Sequence, residues 1–176
     1  MSTLYQHLLG NAFHHLAPLV QRFHTEQGIP WRGEAQVIWS KNPVLRLFLK
    51  LGRLPLETKR LPVTVCVTDA ANGEIWQRRF GEHAMGSKQK MCGQSLQECF
   101  WPVALTLETR VDQGVLYQTC PRSRLFDIPL PRPFRFQVAA REWQQDERFN
   151  FDVEIIWANW SLIHYIGWLH PQNEEM

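Results

Sequence analysis

The chain has 176 residues, an apolar fraction of 44%, eight Trp and a net charge of only +2. That length fits one domain, burying roughly 70% of its unfolded surface without needing a disulfide or metal staple. The small, unclustered charge argues against nucleic acid as a partner. No stretch approaches the roughly 20 apolar residues of a membrane span. Leu4 to Leu19 is interrupted by His7, Gly10, Asn11, His14 and His15, so it does not read as a signal peptide. Cys66, Cys92, Cys99 and Cys120 show no C-x-x-C spacing. A reducing, cytoplasmic setting with free structural thiols is expected. Cys66, in an apolar strand, reads as a buried inert thiol.

Taken in order, Ser2 or Thr3 caps a short helix carrying Leu4, Tyr5, Leu8 and Leu9, stopped by Gly10. After a connection over 11–16, Pro18 opens a second helix with Leu19, Val20 and Phe23 as its apolar stripe. Trp31-Arg32-Gly33 leads into a strand over 34–40. Asn42-Pro43 reads as the cap and first position of a third helix, 43–51, closed by Gly52. This helix is apolar around most of its circumference, with Arg46 and Lys50 as exceptions and Arg53, Lys59 and Arg60 following. It reads as a core helix with a solvated edge, a lid over a barrel mouth, or a peripheral contact with an anionic membrane surface.

From Pro62 the pattern becomes β. Residues 63–68 and 74–80 flank a hairpin signal at Asn72-Gly73. Residues 81–93 read as a twisted strand or an edge-crossing loop. Residues 101–111 alternate, and Asp112-Gln113-Gly114 turns them into 115–120. The proline-dense 126–133 reads as a linker or rim segment, since proline lacks a ladder donor. The clearest strand pair follows. Phe134, Phe136, Val138 and Ala140 share one face, and Phe149, Phe151, Val153, Ile155 and Trp157 share another. A last strand spans 162–169.

The fold class expected is therefore α+β, mostly β. A curved antiparallel meander or partial barrel of about eight strands carries two or three helices near its start. It divides into a helical front with one strand (1–60) and a β meander (61–170).

These pieces also resemble, over nearly the whole length, a bacterial family of uncharacterised proteins, domain of unknown function 4166. The carrying motifs are Leu4-Tyr5 with Leu8-Leu9-Gly10, Phe23-His24, Trp31-Arg32-Gly33, Leu61-Pro62-Val63, Glu74 with Trp76, and Arg79-Phe80-Gly81. They continue with Pro129-Leu130-Pro131, Glu142-Trp143, Asp146 with Arg148-Phe149, Phe151-Asp152-Val153, and Tyr165 with Gly167-Trp168-Leu169. The family shows Phe-Gly-Pro where this chain has Phe100-Trp101-Pro102. It shows Asp-Gly-Arg-Phe where this chain has Asp146-Glu147-Arg148-Phe149. Lacking that glycine, the turn is expected to avoid positive φ or to be longer. The resemblance implies no activity. Related domains occur alone or attached to dehydrogenase-like domains, which implies an accessory role.

Glu142 is the odd residue, a carboxylate ending an apolar row. Facing inward it would be desolvated, which raises a carboxyl pKa toward general acid or base duty. Facing outward, it would pair with Arg141 or Arg148. His24 reads as a helix-terminal histidine, or as an imidazole converging with Glu142 and Arg32. His14-His15 does not form a metal pair, and His164 among apolar neighbours reads as a hydrogen-bonded core residue. No phosphate loop, nucleophile elbow or zinc motif occurs, so no metal or cofactor is expected, and an enzyme is the less favoured reading. The leading expectation is a small apolar molecule bound by Trp31, Arg32, Phe134, Phe136, Val138, Glu142 and His24. An enzyme using Glu142, and a module docking on a protein partner, are the alternatives.

Overall fold

The computed structural model describes residues 2–52 and 54–172; Arg53 lies outside the described residues. Two short helices, α1 (Leu4–Leu9) and α2 (Pro18–Phe23), flank a 3-10 turn over Gly10–His15. Then come β1 (Trp31–Trp39), α3 (Pro43–Leu51), β2 (Thr58–Ala70), β3 (Gly73–Phe80), β4 (His83–Cys92), β5 (Ser95–Phe100) and β6 (Val103–Asp112). The chain finishes with β7 (Val115–Leu125), the two-residue β8 (Ile128–Pro129), β9 (Phe136–Gln145), β10 (Arg148–Trp157) and β11 (Trp160–Pro171).

Each strand pairs antiparallel with the next, β9 takes over from the stub β8 beside β7, and β11 returns to β1. Ten of the eleven strands thus close a barrel, which removes the unpaired edges an open sheet would carry. The count exceeds the eight expected because 83–92 and 95–100 are both complete strands and 128–129 adds a stub. The inward residues of β4 are Met85, Ser87 and Gln89, so it lacks the apolar alternation by which a strand is recognised.

Because the strands alternate in direction, the two barrel ends are built from different loops. One end holds the 71–72, 93–94, 113–114 and 146–147 turns, and the first two helices stopper it. Phe13, Val20 and Phe23 are buried there. The stopper is tied by backbone bonds, with Ala17 N–H donating to Gly114 O at 2.9 Å and Gly28 N–H to Val67 O at 2.7 Å. The other end, called the mouth below, is formed by α3 and the 81–82, 101–102, 126–135 and 158–159 segments.

Two close approaches hold the β1–β11 seam. A Cβ on Gly33 would lie 1.8 Å from Trp168 O, and one on Gly167 would lie 2.4 Å from Glu34 O. Only glycine fits either position. The β7–β9 ladder, by contrast, stops at Thr119 and Ala139. Beyond it the Arg135 guanidinium spans the gap, donating from Nη1 to Pro121 O and from Nε to Leu130 O, both at 3.1 Å. Those donors supply hydrogen bonds to backbone carbonyls where the ladder has ended.

Several expectations are corrected. Phe134 belongs to a 3-10 turn (Arg132–Phe134) outside the strand and is exposed; the proline-rich lead-in ends the alternation at Phe136. The Asp146-Glu147 turn is the tight two-residue form after all, with φ of 50° and 58°. Left-handed backbone at both central positions matches the twist of a hairpin, here without the family's glycine. Cys66 is half-buried on the outer face, opposite Val65 and Val67, and burial pushes its thiol pKa up. His164 also lies on the outer face, half-buried. Its Nε2 is 2.6 Å from Asp152 Oδ1, and Arg141 Nη2 donates to Asp152 Oδ2 at 2.8 Å. Finally, α3 is not a core helix: Leu45 and Leu49 are buried, whereas Val44, Leu47, Phe48 and Leu51 are exposed. Asn42 Oδ1 caps it, accepting from Val44 N–H at 3.0 Å. Among the described residues no helix is long and apolar enough to cross a membrane.

Candidate functional site

The barrel encloses a cavity of about 570 Å³. Its middle and upper walls are apolar, built from inward-facing residues such as Val63, Leu105, Val138, Phe151, Val153 and Ile163. These are the period-two faces of their strands. At the mouth, Gly52, Leu54, Trp101, Pro102 and Phe136 rim it.

Polar groups interrupt this lining at mid-depth and at the floor. On β3 the inward row runs Glu74, Trp76, Arg78, Phe80. The Arg78 guanidinium lies over the Trp76 ring, 4.7 Å from its centroid, which shields one face of the cation. Its Nη2 donates to Glu98 Oε1 at 2.9 Å, and its Nη1 donates to Ser87 Oγ at 2.7 Å. Ser87 Oγ in turn donates to the same Glu98 oxygen at 2.6 Å. Guanidinium, hydroxyl and carboxylate thus form a closed triangle in which Arg78 is already matched by a carboxylate.

Deeper, the stopper helices supply side chains to the floor. Tyr5 Oη donates to Gln89 Oε1 and accepts from Gln118 Nε2, both at 3.1 Å. Burial, followed by the nearby Glu142, Glu98 and Glu74 carboxylates, pushes the Tyr5 phenol well above its ordinary range, so it stays a neutral donor. The Tyr5 ring stacks on the His24 imidazole with centroids 3.8 Å apart. His24 Nε2 lies 2.7 Å from Glu142 Oε2. His24 is 2% exposed and Glu142 8%, and the Glu142 side borders the cavity. His24 Nδ1 has no partner among the described residues. Beneath Trp76, Glu74 accepts from Trp76 Nε1 at 3.2 Å and from Leu4 N–H at 3.3 Å. Burial raises its pKa, partly offset by His24 and these donors.

Of the expected site residues, Glu142 and His24 converge through the packing of α2 over β9 and β10. His24 sits at the helix end as expected, but its side chain turns to Glu142. Phe136 and Val138 line the cavity. Trp31 is packed among Phe23 and Phe149 below it, with ring centroids at 5.1 and 6.1 Å. Arg32 lies exposed and apart from the interior cluster, and Phe134 stands at the rim. The interior guanidinium is Arg78. The expectation missed Arg78, Ser87, Gln89, Glu98 and Gln118. The available signal was the Glu74-Trp76-Arg78-Phe80 alternation, where charged residues share the face of two aromatics.

A closed antiparallel barrel, stoppered by helices and hollow at its centre, is the class defined by this geometry. Within it, the chain belongs to the family described as Domain of unknown function (DUF4166), whose profile matches residues 16–169. No curated protein matches it. Similar solved structures include the following two. One is a protein of unknown function from the DUF3598 family of Nostoc punctiforme, at TM-score 0.51 and 12% identity, over 81% of this chain and 46% of that one. This chain therefore spans about half its length. The other is Rv2717c from M. tuberculosis, at TM-score 0.51 and 12% identity, over 90% of this chain and 99% of that one. At such identity the likeness shows the fold alone.

Proposed function

We infer that the barrel binds one small, predominantly apolar molecule whose polar end is uncharged. The observation carrying this is the cavity itself: about 570 Å³, apolar toward the mouth, with hydrogen-bonding groups gathered at depth. That size and lining are typical of sites for small ligands. The charge balance supports a neutral head. Arg78 is neutralised by Glu98, and Glu142 adds a second carboxylate beside the floor. A ligand carboxylate gains little from the neutralised Arg78–Glu98 pair, and one roughly 5 Å from an ionised Glu142 would meet repulsion on the order of 3 kcal/mol at an effective dielectric near 20. An alcohol, ketone or amide would instead find donors and acceptors in Arg78, Ser87, Tyr5 and the two glutamines.

Native mass spectrometry of the gently purified protein tests the reading. The expected result is a bound species of small mass, lost after organic extraction and recovered as an uncharged apolar compound. An empty protein that also takes up no long-chain alcohol would overturn it.

One observation favours a second reading, an acid–base enzyme: Glu142 borders the cavity with His24 held 2.7 Å behind it. In that case Glu142→Gln retains a bound species chemically different from that of the parent protein, the untransformed substrate. Identical species in both proteins would exclude it.

A further inference from the structure

The mouth of the barrel is ringed by apolar side chains that cover nothing. On α3, Leu47, Phe48 and Leu51 are 57%, 58% and 72% exposed. Across the opening Trp101 is 77% exposed and meets Phe126 edge to face at 5.6 Å, while Trp160 is 52% exposed on a third segment. These groups come from separate stretches of chain and share only their end of the barrel. The outer wall, by contrast, carries exposed Arg79, Lys88, Lys90, Glu108 and Arg141. The large exposed apolar side chains are therefore concentrated at the rim of the cavity, with Ile75 and Met91 as exceptions at the stoppered end.

The helical geometry of α3 sorts its residues into three sectors at 100° per residue. Leu45 and Leu49 face the barrel, Arg46 and Lys50 form a basic edge, and Val44, Leu47, Phe48 and Leu51 face outward. Charge at this end is biased. Lys41, Lys50, Lys59, Arg124 and Arg132 are exposed with no ion-pair partner among the described residues, against Glu82 and Asp127. Aromatic and aliphatic tips flanked by cations match a bilayer interface, where apolar groups enter the acyl boundary and cations meet anionic headgroups.

We propose that the mouth docks on an anionic membrane surface, with α3 and the 101–102 and 158–160 turns inserted at the headgroup boundary. The barrel axis then stands across the interface, and the cavity opens into the lipid. Exchange of an apolar ligand with the bilayer rests on the cavity reading; docking itself does not.

Flotation of the full chain with vesicles tests it. The probes are phosphatidylcholine alone and phosphatidylcholine mixed with phosphatidylglycerol. Flotation is expected with the mixed vesicles, several-fold weaker with the neutral ones, and weakened by salt. Phe48→Ser combined with Leu51→Asp, and separately Trp101→Ser, should each weaken it about tenfold or more. Ile75→Asp, exposed at the stoppered end, should leave it unchanged. Absence of flotation, or flotation indifferent to the mouth variants, overturns the proposal. So does concentration-dependent self-association that the same variants abolish, because the rim would then be covered by a second copy. Uptake of a fluorescent long-chain alcohol, measured without vesicles, separates the two readings. Docking can fail while uptake persists, and uptake can fail while docking persists.

Discussion

Replacing Glu142 by Ala is expected to destabilise the fold, although the residue ends a strand beside a cavity. Its carboxylate holds His24 at 2.7 Å, and the other ring nitrogen of His24 has no partner among the described residues. The variant would therefore strand an imidazole that is 2% exposed and sandwiched against Tyr5. Leaving a buried hydrogen-bonding group without its partner costs about 1–3 kcal/mol. For a chain of this length that corresponds to a fall in Tm of about 2–12 °C, taking 2–4 °C per kcal/mol. Glu142→Gln keeps an acceptor for the imidazole, so its loss should be smaller than that of Glu142→Ala. Urea unfolding of the two variants, of His24→Ala and of the double alanine variant gives the coupling directly. A coupling energy of about 1 kcal/mol or more is expected. If Glu142→Ala lies within about 0.5 kcal/mol of the parent and the coupling vanishes, the pair does not hold the stopper to the barrel.

Three other outcomes follow from different parts of the structure. Gly33→Ala and Gly167→Ala each drive a Cβ into backbone of the β1–β11 seam and should lower stability by more than about 3 kcal/mol, read by thermal unfolding; near-parent stability would mean the barrel does not close there. Glu147→Gly should stabilise by about 0.5–1 kcal/mol, since the turn already holds φ of 58° at a residue with a Cβ; a loss in denaturation midpoint would contradict the tight turn. For Asp152, burial pulls the pKa up, but the bonds from His164 and Arg141 outweigh it and the net shift is downward. Its contribution is thus present above the unfolded-state value near 4 and lost as pH falls through the lower folded value. Parent and Asp152→Asn should differ in urea midpoint at neutral pH and converge at strongly acidic pH, and a constant gap would refute the assignment.

The strands with apolar inward rows could be read from the chain because burial of one face imposes period two, as in Phe149-Phe151-Val153-Ile155. The capping of α3 was equally readable, since Asn42-Pro43 is a local signal and acts locally. What escaped has physical causes. In β4 the inward positions serve the polar network, so Ser87 and Gln89 hide the strand. The apolar row starts at Phe134, two residues before the strand, because alternation says nothing of a preceding 3-10 turn. The meeting of His24 with Glu142 spans 118 residues and depends on how α2 seats in the barrel end, which no local pattern encodes. For α3 the apolar pattern alone does not choose between a covered helix and an exposed one, and here the outer face is not covered.

Calorimetric titration with a matched pair, a long-chain alcohol and the carboxylate of equal length, tests the central account most directly. Binding of the alcohol, at least about tenfold weaker binding of the carboxylate, and narrowing of that gap in Glu98→Gln are the predicted results. Tighter binding of the carboxylate by the parent protein, or heat from neither compound, would contradict a cavity built for an uncharged apolar ligand.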